Sequence, residues 1–243
     1  MKIDANAPAD TRTMGIVHSA LRRDLRRATI VLTSGAPPSD DRRRALGEHL
    51  VWMMSFLERH HTGEDTGLYP LVQRRNPDAQ RLLDAMDAEH QQIHPAMERV
   101  EEVARAYAAG TAAAAAELVG AIADLEEVLY PHLKREEEEM MPVVSATITR
   151  ADWHRWDQEH NIKPIGVSEL AATGLWILDG QDPESDALMS GLVPPLARFV
   201  IKRGFGPRYR RRAARLWGGT EAARVPALPA DAVGGTDTTE AAR

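Results

Sequence analysis

Apolar residues recur at steps of three and four in four long stretches of the chain, the pattern of amphipathic helices. The first stretch, about Thr11 to Leu32, sets Met14, Val17, Leu21, Leu25 and Leu32 on one side. Gly35-Ala36-Pro37-Pro38 breaks it, and Ser39 with Asp40 and Asp41 reads as the cap and first turn of the next helix. The second stretch carries Leu46, Leu50, Met53, Leu57, Leu68 and Leu71, and stops at Asn76-Pro77-Asp78. The third carries Leu83, Met86, Ile93, Met97, Val100 and Ala104 as far as Gly110. The fourth starts near Thr111, crosses an alanine run, and carries Leu118, Ile122, Leu125, Leu129, Met140 and Val143. Short connections between long helices predict an all-α, antiparallel up-down-up-down four-helix bundle over residues 11–145.

Past residue 145 the texture changes, and residues 146–217 read as a helical C-terminal extension. Thr149 caps a short helix with Trp153, Trp156 and His160, and further helical pieces are expected at Val167 to Leu178 and Glu184 to Met189. Residues 1–10 read as a flexible N-terminus. Residues 218–243 lack periodicity and are rich in small residues, Pro and Thr, which predicts a disordered tail.

Composition narrows the chemistry. With no cysteine among 243 residues, disulfides, zinc-thiolate sites, iron–sulfur ligation and cysteine nucleophiles are excluded. Met1 to Asp10 has no apolar leader-like run and no stretch reaches 18 apolar residues, so the expectation is a cytoplasmic protein without a membrane span. The net charge of −6 is unevenly spread. Leu196 to Trp217 holds eight basic residues and no acidic one, leaving 22 basic residues against all 36 acidic ones elsewhere. Electrostatics permits this segment, residues 196–217, to meet nucleic acid, a membrane surface or a protein partner. Packing against the acidic bundle is the simpler account.

Histidines and glutamates interrupt the apolar stripes. On the second helix the stripe runs on to His60 and Glu64, and on the fourth to His132 and Glu136; His18 and His90 sit among apolar neighbours on the first and third. Bare carboxylates aimed into a core are costly or become protonated. A metal cation removes the cost by turning carboxylate and neutral imidazole into ligands. Each His–Glu pair is spaced i, i+4, one turn apart on one face. The set is also duplicated: His18 to His90, His60 to His132, Glu64 to Glu136 and Pro70 to Pro142 are all separated by one and the same offset along the chain. Two related helical hairpins would bring equivalent ligand sets together around a two-metal site, with both glutamates able to bridge.

The pattern His, His-x-x-x-Glu, His, His-x-x-x-Glu resembles the hemerythrin-like HHE cation-binding family. The strings HHTGEDTGLYP (60–70), AEH (88–90) and HLKREEEEMMP (132–142) carry the resemblance, which spans roughly residues 11–145. It implies a non-haem centre of two iron ions, oxo- or hydroxo-bridged, on His18, His60, Glu64, His90, His132 and Glu136; spacing alone also suits manganese or zinc. The implied ligand is dioxygen, hydrogen peroxide or nitric oxide. His-x-x-x-Glu on the fourth helix is similar to the bacterial hemerythrin-like branch, associated with catalase-like or nitric-oxide-directed chemistry. A module sensing iron or oxygen through its extension is the alternative.

Other residues are weighed against that set. His94 is a further candidate ligand, resembling the His-x-x-x-His of oxygen carriers, but its counterpart is Arg22 and Pro95 should kink the helix beside it. Tyr69 and Tyr130 lie close enough along their helices to hydrogen-bond a metal-bound species. His61 and Asp65 fall off the apolar stripe, toward solvent or the outer rim of the site. Glu137, Glu138 and Glu139 read mainly as a solvated face, with a partner to a ligand among them the lesser reading; Trp52, Met54 and Phe56 read as packing that could also keep the site dry, and His49 and His154 as exposed. His160 has no partner spacing.

Overall fold

The computed structural model describes residues 4–35, 37–111 and 114–232. Ala36 of the first turn, Ala112 and Ala113 of the alanine run, and the ends of the expected flexible segments (1–3 and 233–243) lie outside the described residues. The protein is all-α, with no β-strand among the described residues and one isolated bridge between Pro8 and Thr149.

Four helices carry the long apolar stripes: α1 (Arg12–Thr33), α2 (Asp40–Gly63), α4 (Gln80–Ala109) and α5 (Ala114–Arg135). Ser39 accepts from the Arg42 N–H at the start of α2, with Asp40 and Asp41 in its first turn, where carboxylates complement the helix dipole. Gly110, at φ 93°, closes α4 in the left-handed region that favours glycine. α4 lies against both α2 and α5, and α1 against α5. Leu21, Leu25, Leu46, Leu50, Leu57, Leu118, Leu125 and Leu129 are fully buried between them. Each such side chain contributes roughly 1.5–3 kcal/mol of burial. At Gly47 a Cβ would stand 2.5 Å from the Ala104 carbonyl, so the missing side chain lets α2 and α4 approach closely.

The two helices that carry a His-x-x-x-Glu pair change pitch at the same place. α2 runs into a π-helical turn, Glu64–Leu68, and then α3 (Tyr69–Arg75); α5 runs into Glu136–Met140 and then α6 (Met141–Thr147). The boundaries of these segments recur in the two halves at the same offset as the histidines and glutamates. Each turn is closed by an i→i−5 bond, from the Tyr69 N–H to the Glu64 carbonyl and from the Met141 N–H to the Glu136 carbonyl. Pro70 and Pro142 follow one residue later. A proline clashes with the carbonyl four residues back in an α-helix, and the added residue of a π turn relieves that register. The consequence is a slip of one position: Val72 and Val144 are fully buried, while Leu71 and Val143, expected in the core, are only partly covered.

The extension is built from α7 (Arg150–Asp157), α8 (Val167–Leu178), α9 (Pro183–Gly191), α10 (Pro195–Val200) and α11 (Gly206–Trp217). A reciprocal capping box joins Thr149 and Asp152 at the head of α7. α11 packs on α2 and α8 with Leu216 and Trp217 buried, which accounts for part of the basic segment. Two expectations of disorder are corrected within the described residues. The Ala9 N–H donates to the Ile148 carbonyl and the Arg150 N–H to Ala7, so residues 4–10 are tied to the end of α6. Residues 218–232 are also docked: Ala222 is fully buried and the Leu228 N–H donates to the Ser19 carbonyl. Neither segment has helical periodicity, which is why pattern alone left them free; they are held by backbone bonds that no composition reports. No helix among the described residues is long and apolar enough to cross a membrane.

Candidate metal centre

The interruption of the apolar stripes becomes a cluster of buried polar groups. His18 of α1 and His60 of α2 meet with their Nε2 atoms 3.2 Å apart, and His90 of α4 and His132 of α5 meet at the same 3.2 Å. Two imidazoles bound to one ion at roughly 2.0–2.1 Å hold their nitrogens about 3 Å apart. Both pairs have that spacing.

The two glutamates stand between the pairs. Glu64 Oε1 is 3.2 Å from His60 and its Oε2 is 3.7 Å from His90; Glu136 Oε2 is 3.4 Å from His18 and 3.9 Å from His132. Each carboxylate therefore reaches a histidine of both halves. Both are fully buried at the first residue of their π turns. Glu64 Oε1 and Oε2 and Glu136 Oε2 have no hydrogen-bond partner. Burial, and then the neighbouring Glu136, push the Glu64 carboxyl well above the usual range. Burial holds the His60 imidazole well below its ordinary value and takes His18 down to about 3, so both are neutral lone-pair donors near pH 7. Uncompensated carboxylate oxygens and neutral imidazoles converging on one point are a donor set that a cation satisfies.

The outer contacts are duplicated as well. Glu137 Oε1 accepts from His18 Nδ1 at 2.8 Å, and Asp65 Oδ1 from His90 Nδ1 at 2.8 Å. Asp65 and Glu137 are counterparts at the same offset, and each orients a histidine of the other hairpin. A carboxylate on Nδ1 fixes the tautomer that leaves Nε2 free for a metal. Arg22 also donates to Glu137, while Glu89 accepts from His132 Nδ1 at 3.0 Å. The expectation that Glu137 belongs to a solvated face is thus corrected, and Asp65 lies at the rim.

The remaining candidates separate. Tyr69 is buried and donates from its hydroxyl to Glu136 Oε1 at 3.1 Å; burial, with Glu136 and Glu64 nearby, raises its hydroxyl pKa. Tyr130 is not brought in, because its hydroxyl bonds Glu126 one turn back on α5. His94 is not brought in either. Its side chain is 51% exposed, 3.7 Å from Glu58 and 3.9 Å from Glu98. α4 runs unbroken through Pro95, and Ile93 and Met97 take the inward face.

Two histidines depart from expectation. His61, read as turned from the stripe, is buried with its ring stacked on His90, centroids 4.1 Å apart. His49, read as exposed, is buried against Asp24 at 2.7 Å. The signal that could have exposed Asp65 and Glu137 was the same constant offset between the halves; His61 has the apolar Leu133 at that offset and gave none.

Among the described residues, two groups of side chains could hold a metal: His18, His60 and Glu136, and His61, His90 and His132, the ligand atoms of each lying within 4.8 Å of one another. A model of the hemerythrin HHE cation-binding domain matches residues 9–144. No curated protein and no solved structure matches the chain.

Proposed function

Because this chain belongs to the hemerythrin HHE cation-binding family, we propose that it is a non-haem di-iron protein that binds or turns over a small oxidant, namely dioxygen, hydrogen peroxide or nitric oxide. We read the four long helices as the antiparallel up-down-up-down bundle of that family. The observation that carries the proposal is the pair of buried glutamates, each within reach of a histidine from both halves. On this reading His18 and His60 would hold one ion, His90 and His132 would hold the other, and Glu64 and Glu136 would supply carboxylates to both. Manganese or zinc would suit the same donors; the family and the mixed imidazole–carboxylate set favour iron.

When bound, two irons would supply the redox capacity that the side chains lack. The chain's own part is to hold neutral imidazoles in place through Glu137, Asp65 and Glu89, and to keep the centre dry with Leu57, Leu129 and Met140. Tyr69 keeps a proton on its hydroxyl and offers it to Glu136 Oε1.

The deciding experiment is elemental analysis of the protein from iron-replete medium, with optical spectra before and after dioxygen, peroxide or nitric oxide. The expected result is two irons per chain and a spectral change with at least one oxidant, both abolished in His60→Ala. Fewer than about one metal per chain would sink the metal reading. Two irons with no response to any oxidant would sink the oxidant reading.

A second reading, a sensing module that signals through its extension, draws support from one contact. The Trp156 indole of α7 donates to the Gly63 carbonyl at 2.8 Å, directly beside Glu64. Residues 146–217 would then change protease sensitivity between metal-free and iron-loaded protein; equal sensitivity removes this reading.

A further inference from the structure

The six principal residues pair off between the two halves, but the position after each His-x-x-x-Glu histidine does not. His60 and His132 are counterparts, and so are Glu64 and Glu136, but the residue after His60 is His61 and the residue after His132 is Leu133. Both side chains are buried, so the same inward position is apolar in one hairpin and carries a ring with two nitrogens in the other.

His61 does not join His60. It turns across α2 to the other pair: its ring lies parallel to His90 at 4.1 Å and edge-on to His132 at 5.3 Å. One of its ring nitrogens lies within 4.8 Å of a nitrogen from each of them. Its Nε2 is shielded from solvent and has no hydrogen-bond partner, although the side chain is about 94% buried. The carboxylates that orient the other imidazoles of this half, Asp65 on His90 and Glu89 on His132, are already engaged and do not reach it. A buried imidazole nitrogen left unpaired is costly to the fold, so a partner absent from the protein itself is indicated.

We propose that His61 is a third imidazole ligand of the metal ion held by His90 and His132. The centre is then unequal: three imidazoles on that ion, two on the ion at His18 and His60, with Glu64 and Glu136 shared. The ion with fewer protein ligands, at His18 and His60, is the one left open to a small molecule. This inference rests on the two-metal reading above and deepens it. It also places the added ligand on the second helix, beside the His-x-x-x-Glu pair, and gives His94 no part.

The test is a titration of the full, metal-free chain, with its nine histidines labelled on the ring nitrogens, with zinc(II), followed by nitrogen-15 NMR. Five imidazoles are expected to move to the metal-bound range at two zinc ions per chain, and four in His61→Leu, the side chain that the other half carries. In competition with a chelator, His61→Leu should release one of its two ions about tenfold or more easily, while His94→Ala matches wild type. Four shifted imidazoles in wild type, or unchanged zinc retention in folded His61→Leu, would overturn the third ligand and leave the two-metal centre standing. No shifted imidazole at all would overturn both. The wild-type count, taken with an unchanged count in His94→Ala, decides the matter even if His61→Leu does not fold.

Discussion

At the scale of single residues, the buried cluster holds groups that are costly to the fold by themselves. Glu64 is fully buried, has two unpartnered oxygens, and has a carboxyl pushed well above the usual range by burial and by Glu136. Glu64→Gln removes an acid whose ionised form is costly there and keeps the shape. Metal-free Glu64→Gln is therefore expected to be as stable as wild type or more so, by up to about 1 kcal/mol. It should bind fewer than two metal ions. Thermal unfolding with a chelator present, together with elemental analysis, checks both halves; a variant that keeps both ions would refute the bridging role. The six principal residues were legible in the sequence because each interrupts an apolar stripe and each has a partner at the same offset in the other half. Asp65 and Glu137 share that offset but lie off the stripes, where periodicity places a residue at the rim or in solvent. His61 has an apolar counterpart, and only packing against His90 reveals it.

At the scale of elements, the four long helices followed from period alone, and their pitch change did not. A stripe counted at 3.6 residues per turn places Leu71 and Val143 inward; the π turns at Glu64–Leu68 and Glu136–Met140 add a residue and turn Val72 and Val144 inward instead. The prolines were visible in the sequence as a shared feature of the two halves, but their demand on the preceding turn was not drawn from them. Val144→Ala is expected to cost about 2 kcal/mol, from lost burial and a cavity. Val143→Ala should cost less than about 0.5 kcal/mol, as for a surface position. Equal costs in denaturant titrations would contradict the shifted register. The first π turn also carries the dock for α7. At Gly67 a Cβ would stand 2.8 Å from Trp156 Cδ1 and would collide with the His160 imidazole. Gly67→Ala should therefore push α7 and His160 outward and cost roughly 1–3 kcal/mol. The change would appear in tryptophan fluorescence and as earlier proteolysis after residue 146; an unaltered spectrum would show that the contact is looser than this distance implies.

At the scale of the whole molecule, one buried polar network joins the extension to the bundle. Asp24 of α1 accepts from the Trp176 indole of α8 at 2.8 Å, from His49 of α2 at 2.7 Å and from Arg23 beside it at 2.7 Å. Arg212 of α11 donates to His49 Nδ1 at 3.0 Å, which requires a lone pair there and so makes His49 Nε2–H the donor to Asp24. Side chains of α2 and α8 thus meet on one carboxylate of α1, and α11 joins them through His49. Amphipathic periodicity could not reveal this, because Asp24 and Arg23 follow no rule for core positions and the Trp176 partner of Asp24 lies 152 residues away. Burial alone would raise the Asp24 carboxyl, but Arg23 and His49 outweigh it and hold it well below the usual range. Burial lowers His49, more than Asp24 restores it. Both shifts act in one direction. The unfolded chain takes up a proton on His49 below about pH 6.5 while the folded chain resists, and the same holds for Asp24 below about pH 3.8–3.9. Stability should therefore fall as pH drops through each of these values. Asp24→Ala leaves Arg23 buried without its carboxylate and is expected to cost about 3–5 kcal/mol at pH 7. The extension should loosen with it, seen as faster cleavage beyond residue 146. The gap between wild type and Asp24→Ala should then narrow below about pH 4, where wild type loses the advantage of an ionised Asp24. A gap that stays constant from pH 7 to pH 3 would mean that the charge of Asp24 does not hold the extension, and that the apolar contacts of Trp176 and Trp217 do.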